Sequence, residues 1–232
     1  TETKARVAMN QTKEQMCVLN YEDERLQQVA KNMSADVFWF SSARELERGI
    51  FLRGEEIVCR DGEEITLCNI HDLKLLGMHN YENVMAAAAI AHGMNVPWDV
   101  IRKVVCEFQA VPHRIEFVKE VNGVKYYNDS KGTNPDAAIK AVEAMVRPTI
   151  VIGGGYDKES VYDEWIASFG TKVKSLVLLG QTADKIAEAA AKAGFTAVTK
   201  VDSLEEAVAE CARQAQDGDA VLLSPACASW GM

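Results

Sequence analysis

The sequence predicts an α/β protein in two parts: the trailing portion of an α/β unit with a helical end, then a Rossmann-like doubly wound domain. Three observations lead there. Composition is average for a globular chain, 48% hydrophobic and 25% charged over 232 residues, which sets aside disordered, collagen-like and coiled-coil classes. The pattern changes near Gln109-Ala110-Val111-Pro112, which predicts a division into residues 1–110 and 111–232. Beyond that point helices alternate with near-continuous apolar strands, as in a mostly parallel sheet covered on both faces.

In the first part, Met16-Cys17-Val18-Leu19-Asn20 reads as a buried strand. Tyr21-Glu22-Asp23-Glu24 opens a helix with acids in its first turn, where the helix dipole favours them. Ala35 to Phe40 is a second apolar run. Gly49–Arg60 and Glu63–Asn69 alternate around Gly54 and Asp61-Gly62, and Asp-Gly is a strong hairpin signal. An Ala-rich helix follows from about His79 to Gly93, then another from Pro97 to Phe108 with proline in its first turn.

In the second part, Ile115–Glu120 and Val124–Asn128 flank the hairpin signal Asn122-Gly123. Helices are predicted at about Asn134–Met145, Tyr162–Phe169, Ala183–Ala193 and Leu204–Gln214. Strands follow them at Thr149–Ile152, Ser175–Leu179, Ala197–Val201 and Ala220–Leu223. In such sheets ligands sit beyond the carboxyl ends of strands, so chemistry belongs in the loops after Ile152, Leu179 and Leu223.

With 25 basic and 34 acidic residues, the formal charge of −9 argues against broad nucleic-acid binding. The six cysteines form no CxxC pair and read as buried free thiols in a reducing compartment. No apolar run approaches the roughly 20 residues of a membrane span and no signal-peptide pattern opens the chain, so a cytoplasmic location is expected. Thr1 begins in mid-helix character, without Met or a capping sequence of its own, as if inside something longer.

Several loops carry more polar groups than folding requires. Gly153-Gly154-Gly155-Tyr156-Asp157-Lys158 is either a tight turn or a place where glycine N–H groups and Lys158 meet an anion. Asn128-Asp129-Ser130-Lys131-Gly132-Thr133-Asn134-Pro135 precedes a helix and suits an anion. The plainer reading is an N-cap by Thr133 or Asn134 with Pro135 in the first helical position. His113-Arg114-Ile115-Glu116 offers Arg114 as a phosphate clamp or, equally, a surface Arg114–Glu116 pair. Asn80 and Asn83 lie three apart on one helical face, where two amides can read a base edge or one can cap. Ser224-Pro225-Ala226-Cys227-Ala228-Ser229-Trp230 would let a carboxylate approach, while a nucleophilic Cys227 has no visible His/Asn partner.

Together these segments resemble the Mur ligases, and within them the D-glutamate-adding branch. Lys4-Ala5-Arg6, Asn20-Tyr21-Glu22-Asp23, His79-Asn80-Tyr81-Glu82-Asn83, His113-Arg114, Asn128 to Asn134, Gly154 to Lys158 and Ser224 to Ser229 carry the resemblance over essentially the whole chain. It implies the C-terminal part of a P-loop ATPase-like central domain at 1–110, then the Rossmann-like C-terminal domain at 111–232, truncated at its end. It also implies an ATP- and Mg²⁺-dependent ligase of peptidoglycan precursor synthesis, monomeric when complete, acting on UDP-N-acetylmuramoyl-L-alanine and D-glutamate through an acyl phosphate. By motif matching, Asn80 and Asn83 would face adenine, and Arg114 and Asp129 the ATP phosphates and ribose. Lys131, Thr133, Lys158 and Ser229 would hold D-glutamate, with the backbone of Trp230 adjoining, and Lys131 and Lys158 serving catalysis. Lys4 matches the family's carbamylated lysine, which supports a second Mg²⁺.

The chain departs from the family pattern in having no G-x-x-x-x-G-K-[ST] loop and in ending Gly231-Met232 where a helical segment is usual. An internal fragment of the ligase is therefore expected. A non-catalytic Rossmann-type nucleotide-binding or interaction module is the rival reading, and a folylpolyglutamate synthase relative is another. Retention of Asp129, Lys131, Thr133, Lys158 and Ser229 together speaks against the first; the Ser224–Ser229 stretch speaks against the second. The chain by itself should not ligate, because the β- and γ-phosphates lack a cradle. Purified chain given ATP, UDP-N-acetylmuramoyl-L-alanine and D-glutamate should release no substrate-dependent phosphate in a phosphate-release assay.

Overall fold

The computed structural model describes residues 6–228, and Lys4, Ser229 and Trp230 lie outside them. The chain divides into two compact units, Thr1–Gln109 and Ala110–Met232.

The first unit is built on a five-stranded sheet in simple sequential order: β1 (Met16–Asn20), β2 (Asp36–Ser41), β3 (Gly49–Arg53), β4 (Glu56–Asp61) and β5 (Glu63–Asn69). The first three strands run parallel and the last three form an antiparallel meander. Between β1 and β2, helix α1 (Glu24–Ala30) starts later than its acidic run suggests. Asp23 is its cap, accepting from the N–H of Arg25 at 2.8 Å and of Leu26 at 3.2 Å.

Helix α2 (Met78–Gly93) covers β1, β2 and β3 with Val84, Met85, Ala88 and Ala89. Small side chains let it lie close to the sheet. Its last turn brings His92 against Trp98, ring centroids 4.7 Å apart, with Nε2 2.9 Å from the Asp61 carboxylate. Trp98 opens helix α3 (Trp98–Glu107), whose Arg102 donates to the carbonyls of Leu67 and Thr66 on β5, both at 2.6 Å.

The second unit holds a six-stranded sheet in the order β10-β9-β8-β11-β7-β6. Its strands are β6 (Glu116–Val121), β7 (Val124–Asn128), β8 (Thr149–Gly153), β9 (Val173–Leu178), β10 (Val198–Lys200) and β11 (Ala220–Leu223). Five run parallel, and β6 pairs antiparallel with β7 through the Asn122-Gly123 turn, both residues at positive φ. Strand β6 begins at Glu116, one residue later than the apolar pattern suggests. Ile115 instead turns back at φ 46, an unusual conformation for a β-branched residue.

The crossovers are helices α4 (Pro135–Ala144), α5 (Asp163–Ala167), α6 (Ala183–Lys192) and α7 (Leu204–Gln214). Alternation along the strands puts Ile150 and Ile152 of β8, Val177 of β9 and Val221 of β11 on one face. There they pack with Ala207 and Cys211 of α7. Helix α5 is only five residues long, less than the apolar run 162–169 suggests. Tyr162 and Phe169 flank it as buried turn residues, and Trp165 stacks edge-on against Phe169.

All six cysteines are free; Cys17 and Cys106 are half-buried and the other four buried. Among the described residues no helix is long and apolar enough to cross a membrane.

The N-cap of α4 falls to Asn134, whose side chain accepts from the N–H of Ala137 at 2.9 Å, and not to Thr133. Asn134→Ala should therefore cost about 1 kcal/mol in urea unfolding. Thr133→Ala should leave stability within about 0.5 kcal/mol of wild type.

Candidate functional site

Strands β7, β11 and β8 are neighbours and run in the same direction, so their carboxyl ends put three loops side by side. Backbone hydrogen bonds sew these loops together. Gly132 accepts from the N–H of Ala226 at 2.9 Å, joining the β7 loop to the β11 loop. Pro225 accepts from Gly154, also at 2.9 Å, and Ala228 from Tyr156 at 2.7 Å, joining the β11 loop to the β8 loop.

Asp129 lies at the centre of the first junction. It is 6% exposed, and both carboxylate oxygens are engaged. One accepts from the Ser224 hydroxyl at 2.8 Å, the other from the N–H of Ile115 at 3.2 Å. Burial pushes this carboxyl up to about 6, against the pull of the Ser224 hydroxyl, the Ile115 N–H and the Arg114 charge. Gly132 is required here, because a Cβ would strike the Asp129 carboxylate and come within 2.7 Å of Ser224 Oγ.

The glycine loop after β8 corrects one expectation. Its N–H groups do not wait for an anion: Gly154 donates to Pro225, Gly155 to the Thr182 hydroxyl at 2.9 Å, and Tyr156 to Ala228. At Gly155 a Cβ would collide with the Ala228 carbonyl, so the glycine serves close approach of two loops. What this loop leaves for a ligand is Lys158, which is exposed. Asp157 beside it pairs with Lys185 at 3.2 Å.

Lys131 and Arg114 are exposed as well, on segments joined by the Lys131 N–H to the His113 carbonyl at 3.1 Å. The alternative of an Arg114–Glu116 pair is not what forms, since Glu116 accepts from the N–H of His113 at 2.9 Å. Among the described residues Arg114, Lys131 and Lys158 have no ion-pair partner. Thr133 is half-buried between Lys131 and the Asn134 cap. Cys227 is 1% exposed, within 3.3 Å of Thr182 Oγ1, and its thiol is raised by burial. Such a thiol is a packed group and a poor nucleophile.

In the first unit, Asn80 and Asn83 sit in the opening turns of α2, with Asn83 exposed. The Asn80 amide donates to the Leu76 carbonyl at 2.7 Å, so part of its hydrogen-bonding capacity secures the helix start. Glu82 between them accepts from the Ser42 hydroxyl at 2.6 Å, and Glu22 accepts from Ser41 at 2.6 Å and from both arms of the Arg44 fork. The Glu82 contact ties α2 to the segment just after β2, and the Glu22 contacts tie the carboxyl ends of β1 and β2 to each other. Among the described residues no cluster of three or more His, Cys, Asp or Glu is placed to hold a metal.

Sequence reasoning gave no role to Thr182 or Ile115, and it placed Ser224 and Gly132 in anion-binding loops, whereas both are turned to Asp129. Ser224 stood in a quoted motif, and Thr182 just after a strand end already marked for chemistry. Their contacts depend on strand order, which no local pattern encodes.

A family model described as "Mur ligase, glutamate ligase domain" matches residues 113–227, and one described as "Mur ligase middle domain" matches residues 1–91. The UDP-N-acetylmuramoylalanine–D-glutamate ligase of Lachnoclostridium phytofermentans is 56% identical over 232 residues, covering 100% of this chain and 51% of the relative. The ligase of the same name from Clostridioides difficile is 46% identical over 231 residues, covering 100% of this chain and 51% of the relative. The chain thus spans about half the length of the curated relatives it matches. Among solved structures, MurF ligase from Thermotoga maritima in complex with ADP superposes with a TM-score of 0.63 at 16% identity, over 97% of this chain and 53% of that one. Folylpolyglutamate synthase from Mycobacterium tuberculosis, complexed with ADP and AMPPCP, gives a TM-score of 0.65 at 15% identity over 91% of this chain and 52% of that one. At such identities the likeness is one of fold.

Burial of Asp129 gives a pH-dependent contribution to stability. The folded state holds this proton more tightly than the unfolded chain does, with a midpoint of about 6 against an ordinary 3.8. The contribution is fully present below about pH 4 and is lost as pH rises through about 6. A difference of that size is worth on the order of 3 kcal/mol. Asp129→Asn removes the titration, so its unfolding free energy should gain on wild type by roughly that amount between pH 4 and 7, measured by urea unfolding at each pH.

Proposed function

The chain belongs to the Mur ligase family, and from that premise we propose that it forms part of an ATP-dependent ligase joining D-glutamate to UDP-N-acetylmuramoyl-L-alanine. One observation carries the reading: Arg114, Lys131 and Lys158 stand exposed, without ion-pair partners among the described residues, on segments locked together at the carboxyl end of the sheet. Phosphates and substrate carboxylates need such fixed positive charge.

In the proposed reaction ATP transfers its terminal phosphoryl group to the carboxylate of UDP-N-acetylmuramoyl-L-alanine, giving an acyl phosphate. The D-glutamate amine attacks that carbonyl carbon, and phosphate departs as the amide bond closes. Lys131, Lys158 and the Thr133 hydroxyl hold the D-glutamate carboxylates, with Ser229 and Trp230 completing that side. Fixing both carboxylates presents the amine to the acyl phosphate in one orientation. Arg114 meets ATP phosphate, while Asn80 and Asn83 read adenine from the first unit.

Asp129 serves the ATP side with its carboxylate turned inward, where it secures the segment of Arg114. Mg²⁺ would neutralise charge on the ATP phosphates, and among the described residues no cluster of three or more His, Cys, Asp or Glu is placed to hold it. A carbamylated Lys4 remains a proposal from the motif alone. Use of ATP and a nucleotide-sugar substrate favours a cytoplasmic setting, and the complete protein is taken as a monomer.

The test is a split in kinetic constants. In the protein at the full length of its relatives, Lys158→Ala should raise KM for D-glutamate by about tenfold to hundredfold, the loss of one charge-assisted contact of roughly 1.5–3 kcal/mol. KM for ATP should stay near wild type. A raised KM for ATP with an unchanged KM for D-glutamate would reverse the assignment.

A further inference from the structure

One buried side chain near the site is used by none of the steps above. Ser224 is fully buried at the end of β11, its backbone N–H donating to the Ile152 carbonyl at 3.0 Å. Its hydroxyl donates to Asp129, 95 positions earlier in the chain. The other oxygen of that carboxylate accepts from Ile115, the residue after Arg114.

The backbone around this junction is bent in an unusual way. His113, Ile115 and Ala226 all have positive φ, at 68°, 46° and 58°. Non-glycine residues rarely adopt that region, and a β-branched one least of all, so the surroundings must hold them there. For Ile115 the visible tether is the hydrogen bond to Asp129. For Ala226 it is the bond to the Gly132 carbonyl, one of the contacts that Gly132 permits by having no Cβ against Asp129 and Ser224.

We propose that Ser224 is a positioning residue that couples the two ligand-facing segments of the second unit, holding through Asp129 the segment of Arg114 in step with the loop after β11. The consequence for function rests on the reading that Arg114 meets phosphate and the 224–229 loop meets the amino acid. The coupling itself rests only on the junction. Without the hydroxyl, Asp129 keeps one donor fewer for its charged form and takes up a proton more readily. Its grip on the Ile115 N–H then weakens, because a charged acceptor makes the stronger hydrogen bond. Arg114 is the charged group that acts on this carboxylate, and it favours the ionised form.

Nuclear magnetic resonance on the 232-residue chain tests this without any ligand. Ser224→Ala should speed amide hydrogen exchange at Ile115 by tenfold or more and move the Asp129 carboxyl titration upward. Ser224→Thr, which keeps the hydroxyl, should restore both. A second arm needs no variant. In the unmodified chain the Ile115 and Ser224 amide shifts should inflect together with the Asp129 carboxyl carbon, and Ile115 exchange, corrected for its intrinsic pH dependence, should quicken below that midpoint. Unchanged Ile115 exchange in a folded Ser224→Ala, or no shared inflection in the wild type, would overturn the coupling. Such a result would leave the ligase reading standing, since that is decided by the D-glutamate and ATP constants of Lys158→Ala.

Discussion

The hydrogen bond from the Ser224 hydroxyl to the buried Asp129 carboxylate joins the carboxyl ends of two adjacent strands that come from opposite ends of the second unit. A carboxylate this deeply buried would be very unfavourable alone. Two donors and a nearby guanidinium offset part of that cost, and the remainder is visible as the raised affinity for a proton. The geometry is correspondingly demanding. Gly132 must lack a Cβ, and Ile115 must bend into a conformation that its side chain disfavours. A junction that imposes such demands can be satisfied in few ways, which is how polar contacts in a low-dielectric interior select one loop arrangement.

With the loops fixed, the division of labour between backbone and side chains follows. The glycine loop after β8 spends the N–H groups of Gly154, Gly155 and Tyr156 on Pro225, Thr182 and Ala228. Backbone there provides rigidity, and Lys158, Lys131 and Arg114 stand exposed around it. Long cationic side chains on a rigid platform can reach anions of different size and position, whereas a nest of N–H groups fits one anion at one place. The proposed reaction, which passes from carboxylate to acyl phosphate to amide, moves negative charge between sites. Flexible cations anchored at fixed roots suit that task.

Much of the fold was legible because periodicity is local. The alternation of helices with apolar strands after residue 110 marked the parallel sheet, and Asn122-Gly123 marked its hairpin. Asn134 could be read as a cap from residue type, although which of Thr133 and Asn134 acts is settled by a single N–H contact, and Asp23, read as a first-turn acid, is itself a cap. The lysines and Arg114 were legible as candidates because loops carry more polar groups than caps consume. The inward turn of Asp129, the role of Ser224 and the spent glycine N–H groups were not. Each depends on β11 inserting between β8 and β7, an arrangement of strands far apart in sequence.

That insertion also explains why polar groups rather than apolar ones fill the junction. Loops at the ends of strands carry backbone N–H and carbonyl groups that no ladder satisfies, and burying them requires partners. Apolar side chains would pack there but would not say which loop lies against which. The Asp129–Ser224 pair, the Gly132–Ala226 bond and the Gly154–Pro225 bond each recognise one partner. An apolar contact tolerates a shift of an ångström, while a hydrogen bond of 2.8 Å loses most of its value over the same distance. The proposed task of orienting an amine toward a reactive carbonyl benefits from that intolerance. The polar junction is where the sheet's topology becomes the positioning of Arg114 and Lys131.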